Sequence, residues 1–204
     1  MDQHSVTLRK ANPTFDDGLV FARYLDEAAE GFFRFMLGRR AMEIVARAFA
    51  QPAHDLSYQH VTVAERGGAV VGMGSGYSAQ QHRRSSHHAL KQAAGPWNLR
   101  SRLIWVLFAP LMRIIDSIGE DDFYLQAIAV DNALRGEGVG SILMDSLEEQ
   151  ARASGATRLS LDVSAKNQGA RRFYERRGMV IDSQWPKWMK VPALTFYRMT
   201  KELV

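Results

Sequence analysis

The 204-residue sequence predicts a mixed α/β (α+β) domain, with a central sheet of about six or seven strands flanked by helices. Three observations predict it. Short runs of strand character alternate with helical segments from one end of the chain to the other. Arg66-Gly67-Gly68 separates two alternating runs and reads as a hairpin turn. Residues 127–140, AIAVDNALRGEGVG, pass from an apolar strand through glycines straight into a helical pattern. The 46% hydrophobic and 24% charged residues have the balance of a globular chain large enough to bury a core.

Each element has its own signal. Residues 5–10 read as a first strand. Thr14 followed by Asp17 resembles a helix-start capping pair, ahead of Leu19, Ala22, Leu25 and Ala28 on one face. Residues 32–49 form a second helical region. The strand at 60–64 puts Val61 and Val63 on one face, and 69–77 returns from the hairpin. The tract 80–118 begins polar and basic (QQHRRSSHH) and turns apolar with Trp97 and Trp105. It reads as a flexible loop followed by one or two helices, Pro110 starting the second. A strand at 123–130 follows, then a helix at 141–154 with Ile142, Leu143, Leu147 and Ala151 on one face and Gly155 at its end. A strand at 158–163 leads to a short helix at 167–177, capped by Asn167 and closed by Gly178. Strands at 179–185 and 194–200 end the pattern. No repeat, low-complexity tract or linker divides the chain, so one domain over 1–204 is expected.

Composition narrows the function. Cysteine is absent, which excludes disulfides, thiolate metal sites and cysteine nucleophiles. The residues MDQHSVTLRK lack the charged-then-apolar pattern of a signal peptide. The most apolar stretch, 103–115 (LIWVLFAPLMRII), falls short of the about 20 residues a membrane span takes. A cytoplasmic protein without membrane association is expected. The formal charge of +4 suits nucleic acid, anionic lipid or an anionic cofactor alike.

The turn at 135–141 carries the chemistry. The first N–H groups of a helix have no internal partner, and the aligned peptide dipoles place about half a positive charge there. Gly136, Gly138 and Gly140 let the backbone approach a phosphate without a Cβ in the way, and Arg135 adds a cation. The spacing G-x-G-x-G differs from the G-x-G-x-x-G of dinucleotide folds, and the Gly-Lys-Ser/Thr ending of a P-loop is absent. Arg135, Gly138 and Gly140, after an apolar strand ending in Ala129-Val130, match instead the coenzyme A pyrophosphate loop of the GNAT N-acetyltransferase superfamily, which this chain resembles. About thirty residues on, Asn167, Ala170, Tyr174 and Gly178 repeat the spacing N-x-x-A-x-x-x-Y-x-x-x-G of the same superfamily's second signature. The resemblance is close over 123–185. Over the N-terminal half it holds in element order alone.

The resemblance implies a mostly antiparallel twisted GNAT sheet with a helical insertion near 80–118. It implies an acetyl-CoA-binding core at 121–185 and an acceptor-shaping half at 1–120. It assigns acetyl-CoA contacts to Ile128, Ala129, Val130, Arg135, Gly136, Glu137, Gly138, Val139, Gly140, Ser141, Asn167, Ala170, Phe173 and Tyr174. The activity it implies is acetyl transfer from the thioester to a primary amine by direct attack in a ternary complex. Tyr174 is the expected acid for the departing thiolate, since a phenol with pKa of about 10 is protonated at neutral pH. Asp162, which shares a strand face with Ser160, is the expected base; the other reading of it is an aspartate bonded to backbone or to an arginine. Glu137 brings a negative charge into a phosphate loop and is expected to point to solvent.

Two further readings stand beside the enzyme: an acyl-CoA-binding module without turnover, and a nucleic-acid contact through the basic tract 80–91, for which no motif exists. No nucleic acid is expected as a partner; a homodimer is compatible with the sequence. His82, His87 and His88 sit among Arg83, Arg84 and Lys91 with no acidic neighbour in sequence, so no metal is expected there.

Overall fold

A computed structural model of the chain describes residues 5–86, 88–95, 118–186 and 195–203. The strands are β1 (Val6–Lys10), β2 (Val61–Arg66), β3 (Ala69–Ser78), β4 (Asp122–Val130), β5 (Arg158–Ser164), β6 (Val180–Trp185) and β7 (Phe196–Glu202). They form a seven-stranded sheet in the order β1-β2-β3-β4-β5-β7-β6. Every neighbouring pair is antiparallel except β4 and β5, which run parallel.

Helices cover both faces. On one lie α1 (Phe15–Ala28), α2 (Phe32–Leu37) and α3 (Ala41–Phe49), followed in the chain by the short α4 (Ala79–Arg83) and α5 (His88–Ala94). Phe21, Leu25, Val45 and Phe49 pack there against Val61, Val63, Met73 and the small Ala127 and Ala129 of β4. The opposite face carries α6 (Val139–Ala153) and α7 (Gln168–Arg176). Met144, Leu147, Ala151 and Tyr174 pack against Phe123, Leu125, Leu159, Leu161 and Met199. The parity of each strand thus divides its side chains between two cores. α6 lies close on β3 because Gly74 has no side chain: a Cβ there would meet Leu147 Cδ1 at 2.9 Å.

The capping signal before α1 is realised, with Thr14 Oγ1 accepting from the Asp17 N–H at 3.2 Å. The helical region at 32–49 is not continuous. Gly38, at φ 74°, breaks it, and a 3₁₀ turn separates α2 from α3. The tract at 80–91 was expected as a flexible loop, but α4 starts there on a capping box formed by Ser78 and Gln81, and α5 follows. A charged surface hides this ordering in the sequence, because helices this short hold by packing rather than by propensity. The apolar stretch 103–115, Trp97, Trp105, His87 and the first residue, 194, of the last expected strand lie outside the described residues.

Candidate active site

The turn after β4 forms as the glycines require. Gly136 and Gly138 both take φ 90°, a left-handed conformation open to glycine, and Gly138 is the N-cap of α6. That helix starts with no side-chain cap. The N–H groups of Gly136, Gly138, Val139 and Gly140 find no acceptor among the described residues, whereas Ser141 N–H turns back to Gly138 O at 2.9 Å. Arg135 Nε donates to Val130 O at 3.4 Å, which holds the guanidinium over the strand end. Four unsatisfied donors at a helix N-terminus beside an arginine make an anion cradle. Glu137 does not enter it. Its carboxylate is drawn outward by Arg66 on β2, at 2.6 Å.

Beside this cradle the sheet opens. β4 and β5 pair only at Asp122/Arg158, Phe123/Leu159 and Tyr124/Ser160. The buried Asp122 carboxylate fastens this end by accepting from Arg158 Nε at 2.6 Å. Beyond Tyr124 and Ser160 the two strands part. β4 also slips register against β3 there, leaving Gln126 as the extra residue of a bulge. Asp131 N–H donates to Val71 O on β3. Strand alternation then turns the backbone groups of Ile128 and Val130 away from β3, into the gap, while Ala129 faces the first core.

α7 forms the other wall of the gap. Asn167 Oδ1 caps it by accepting from the Ala170 N–H at 3.1 Å. Phe173 reaches the first turn of α6: a Cβ on Gly140 would lie 3.7 Å from its ring and 3.8 Å from Val130. Ala170, Phe173 and Tyr174 belong to the second core. Burial pushes the Tyr174 phenol up to about 12, because a phenolate would lose hydration there.

On the opposite face, where the strands part, lies a polar cluster that spans five elements. Asp162 on β5 faces Arg198 on β7 in register. Arg198 Nε donates to Asp162 Oδ1 and Nη2 to Oδ2, both at 2.8 Å. The Tyr124 hydroxyl donates to Oδ2 at 3.1 Å. Burial pushes the Asp162 carboxyl up, against the opposing pull of Arg198. The Tyr124 ring is tilted against Tyr77 of β3 (5.7 Å between centroids), and Tyr77 stacks on His82 of α4 (5.6 Å). His82 Nδ1 lies 2.9 Å from Asp55 Oδ2. The sequence reading singled out Asp162 and the histidine tract but missed Tyr124, Arg198, Tyr77 and Asp55. No local motif marks them, since each belongs to a different element. The alternating pattern of β5 was the one available signal, for Asp162. No group of three metal-ligating side chains occurs among the described residues.

The geometry defines a class: a sheet with two strands parted beside a helix N-terminus built to hold an anion. Comparison with known proteins agrees. The model of the acetyltransferase (GNAT) family matches residues 22–179. An uncharacterized N-acetyltransferase of Bacillus subtilis (strain 168), YdgE, is 27% identical over 121 residues. That match covers 59% of this chain and 65% of the relative. A crystal structure of an acetyltransferase, 25% identical, superposes with a TM-score of 0.62 over 97% of this chain and 100% of its own. The putative acetyltransferase yncA from Salmonella typhimurium, solved with acetyl-CoA, is 16% identical with a TM-score of 0.52 over 98% of this chain and 95% of its own. The chain belongs to the GNAT acetyltransferase family.

Proposed function

We propose that this protein transfers the acetyl group of acetyl-CoA to a primary amine by direct attack in a ternary complex. The observation that carries the reading is the adjacency of the anion cradle at 135–141 to the gap between β4 and β5. The free N–H groups of Gly136, Gly138, Val139 and Gly140, with Ser141 and Arg135, hold the pyrophosphate. The pairing of Glu137 with Arg66 relieves the loop of its one unfavourable charge. The backbone of Ile128 and Val130 offers strand-like hydrogen bonds to the pantetheine amides, with Ala129 between them. Asn167 uses its oxygen as a cap, so its amide N–H₂ is left for the same arm. Ala170 and Phe173 line the wall behind it. A putative acetyltransferase of the same fold, solved with acetyl-CoA, supports the choice of cofactor.

In this reading residues 121–185 bind acetyl-CoA and 1–120 shape the acceptor site. The amine attacks the thioester carbon where β4 and β5 part. A backbone donor aimed at the oxyanion is worth about 10²–10³ in rate. Tyr174, protonated across the neutral range, gives its proton to the leaving thiolate. Asp162 has both oxygens engaged, so we assign it the placing of Tyr124 and Arg198, not the base role that the family resemblance implies.

The test is binding followed by turnover. Acetyl-CoA at about a hundred times its Kd stabilises the fold by about 2.7 kcal/mol, and the melting temperature rises. Gly138→Asp, which brings a Cβ and a negative charge to a backbone at φ 90°, removes that rise. A panel of amines then yields free thiol only in the presence of an acceptor. Absence of both a thermal shift and calorimetric heat overturns the reading. Binding with no turnover of any amine leaves the acyl-CoA-binding module in its place.

A further inference from the structure

We propose that Tyr24 of α1 is a positioning residue for the anion cradle, acting through its hydrogen bond to Asp131. This inference rests on the acetyl-transfer reading, in which the cradle holds the pyrophosphate of acetyl-CoA. It adds to the cofactor site a residue of the N-terminal half, 107 positions before its partner.

Free N–H groups bind a phosphate well only where the loop already has its bound shape, because ordering a glycine-rich loop costs conformational entropy. The far end of this loop is fixed by α6, which starts after Gly138 and rests on β3. The near end leaves the sheet at Asp131, directly after β4. From there the backbone runs in linked turns. Leu134 N–H donates to Asp131 O at 2.9 Å, Arg135 N–H to Asn132 O at 3.4 Å and Glu137 N–H to Leu134 O at 3.2 Å. A shift at Asp131 is thereby passed to Gly136 and Gly138.

Asp131 is held from two sides. Its N–H donates to Val71 O on β3 at 2.9 Å. Its Oδ1 accepts from the Tyr24 hydroxyl at 2.8 Å, and that hydroxyl lies 3.5 Å from Val70 O. Arg23 adds a cation 3.4 Å from Oδ1, with its guanidinium 4.2 Å over the Tyr24 ring. Tyr24 is fully buried, on a helix with little freedom to move. Phe21 and Leu25, on the same face, pack in the first core. Asp17 accepts two hydrogen bonds from Arg9 of β1, at 2.6 and 2.9 Å. Gly18 lies so close to α3 that a Cβ would meet Ala46 O at 2.7 Å. Burial, and after it the bond to Asp131, hold the Tyr24 phenol well above its ordinary value, so the hydroxyl keeps the proton it donates.

Charge alone gives Asp131 the wrong sign for this place. A carboxylate at the start of a phosphate loop repels the ligand. Its charge opposes binding, whereas its bond to Tyr24 favours binding by fixing the loop. The two effects differ in sign, so substitution separates them.

The experiment measures the Kd of acetyl-CoA by calorimetry, and its KM and kcat, for the wild type, Tyr24→Phe, Asp131→Asn, Asp131→Ala and the double variant Tyr24→Phe/Asp131→Ala. Melting curves check that each is folded. Tyr24→Phe raises Kd and KM by about tenfold, and kcat at saturating acetyl-CoA falls far less. Asp131→Ala weakens binding as much, although it removes a repelling charge. Asp131→Asn keeps an oxygen for the Tyr24 hydroxyl, so it binds within about threefold of the wild type or more tightly. The double variant binds no more weakly than the weaker single one, since both substitutions break one link. An unchanged Kd in Tyr24→Phe overturns the proposal. So does tighter binding in Asp131→Ala, which leaves the carboxylate as a charge alone, and so do losses that add in the double variant. A fall in kcat as large as the rise in KM marks a general structural role and overturns it too. Should Tyr24→Phe fail to fold, Asp131→Ala decides alone. A wild type that binds no acetyl-CoA overturns the transfer reading along with this inference. A wild type that binds it, with variants that bind equally well, overturns this inference only.

Discussion

In the proposed reaction Tyr174 carries both packing and chemistry. Its ring belongs to the second core and lies 5.2 Å from Phe173, centroid to centroid. Burial pushes its phenol up to about 12, so the hydroxyl holds its proton at neutral pH. Tyr174→Phe keeps the ring and deletes only the oxygen. In steady-state kinetics kcat falls by about tenfold to a thousandfold, while acetyl-CoA affinity by calorimetry changes little. A loss of affinity with kcat preserved would make Tyr174 a binding residue. Glu137 is a second case at this scale. Its charge was legible in the sequence as a misfit in a phosphate loop, with solvent as the expected destination. The partner that removes it from the loop, Arg66, lies 71 residues earlier and is set by the sheet.

At the scale of elements, the β3–α6 contact positions the cradle, because α6 begins at the anion loop and rests on β3. Gly74→Ala puts a Cβ 2.9 Å from Leu147 Cδ1. Leu147 is fully buried and has little room to shift. The substitution costs about 1–3 kcal/mol in urea unfolding, although φ at Gly74 suits any residue. Acetyl-CoA affinity falls with it if α6 tilts. Elements with strong local signals were legible: the hairpin at Gly67-Gly68, β4, α6 and the Asn167 cap of α7. The break at Gly38 and the short α4 and α5 were not. α5 is stabilised by packing on α3, which comes about forty residues earlier in the chain.

For the molecule as a whole, acid sensitivity follows from two buried histidines. Burial lowers the proton affinity of His54 and His60 below the ordinary value of 6.5. His54 Nδ1 accepts the Leu56 N–H, a bond that its protonation would break. Below pH 6.5 the unfolded chain therefore binds more protons than the folded one. Their contribution to stability is complete above that pH and fades as pH falls through the lowered folded values. Melting temperature should decline from pH 7 to pH 5, and His60→Gln should flatten the decline. An equal slope in the variant would trace the acid sensitivity to other groups.

The sequence by itself determined the family, the strand–turn–helix at 127–141 and the capped helix after Asn167. These depend on neighbours within a few residues, where backbone sterics, helix-end donors and side-chain periodicity act locally. Only the tertiary structure decided what Asp162 touches and which histidine has a carboxylate. The Asp162–Arg198 pair spans 36 residues and the Asp55–His82 pair 27. Such contacts arise from sheet register and helix packing. A carboxylate on a strand can serve as base or as buried counter-ion, and the residue that register sets opposite it makes the choice.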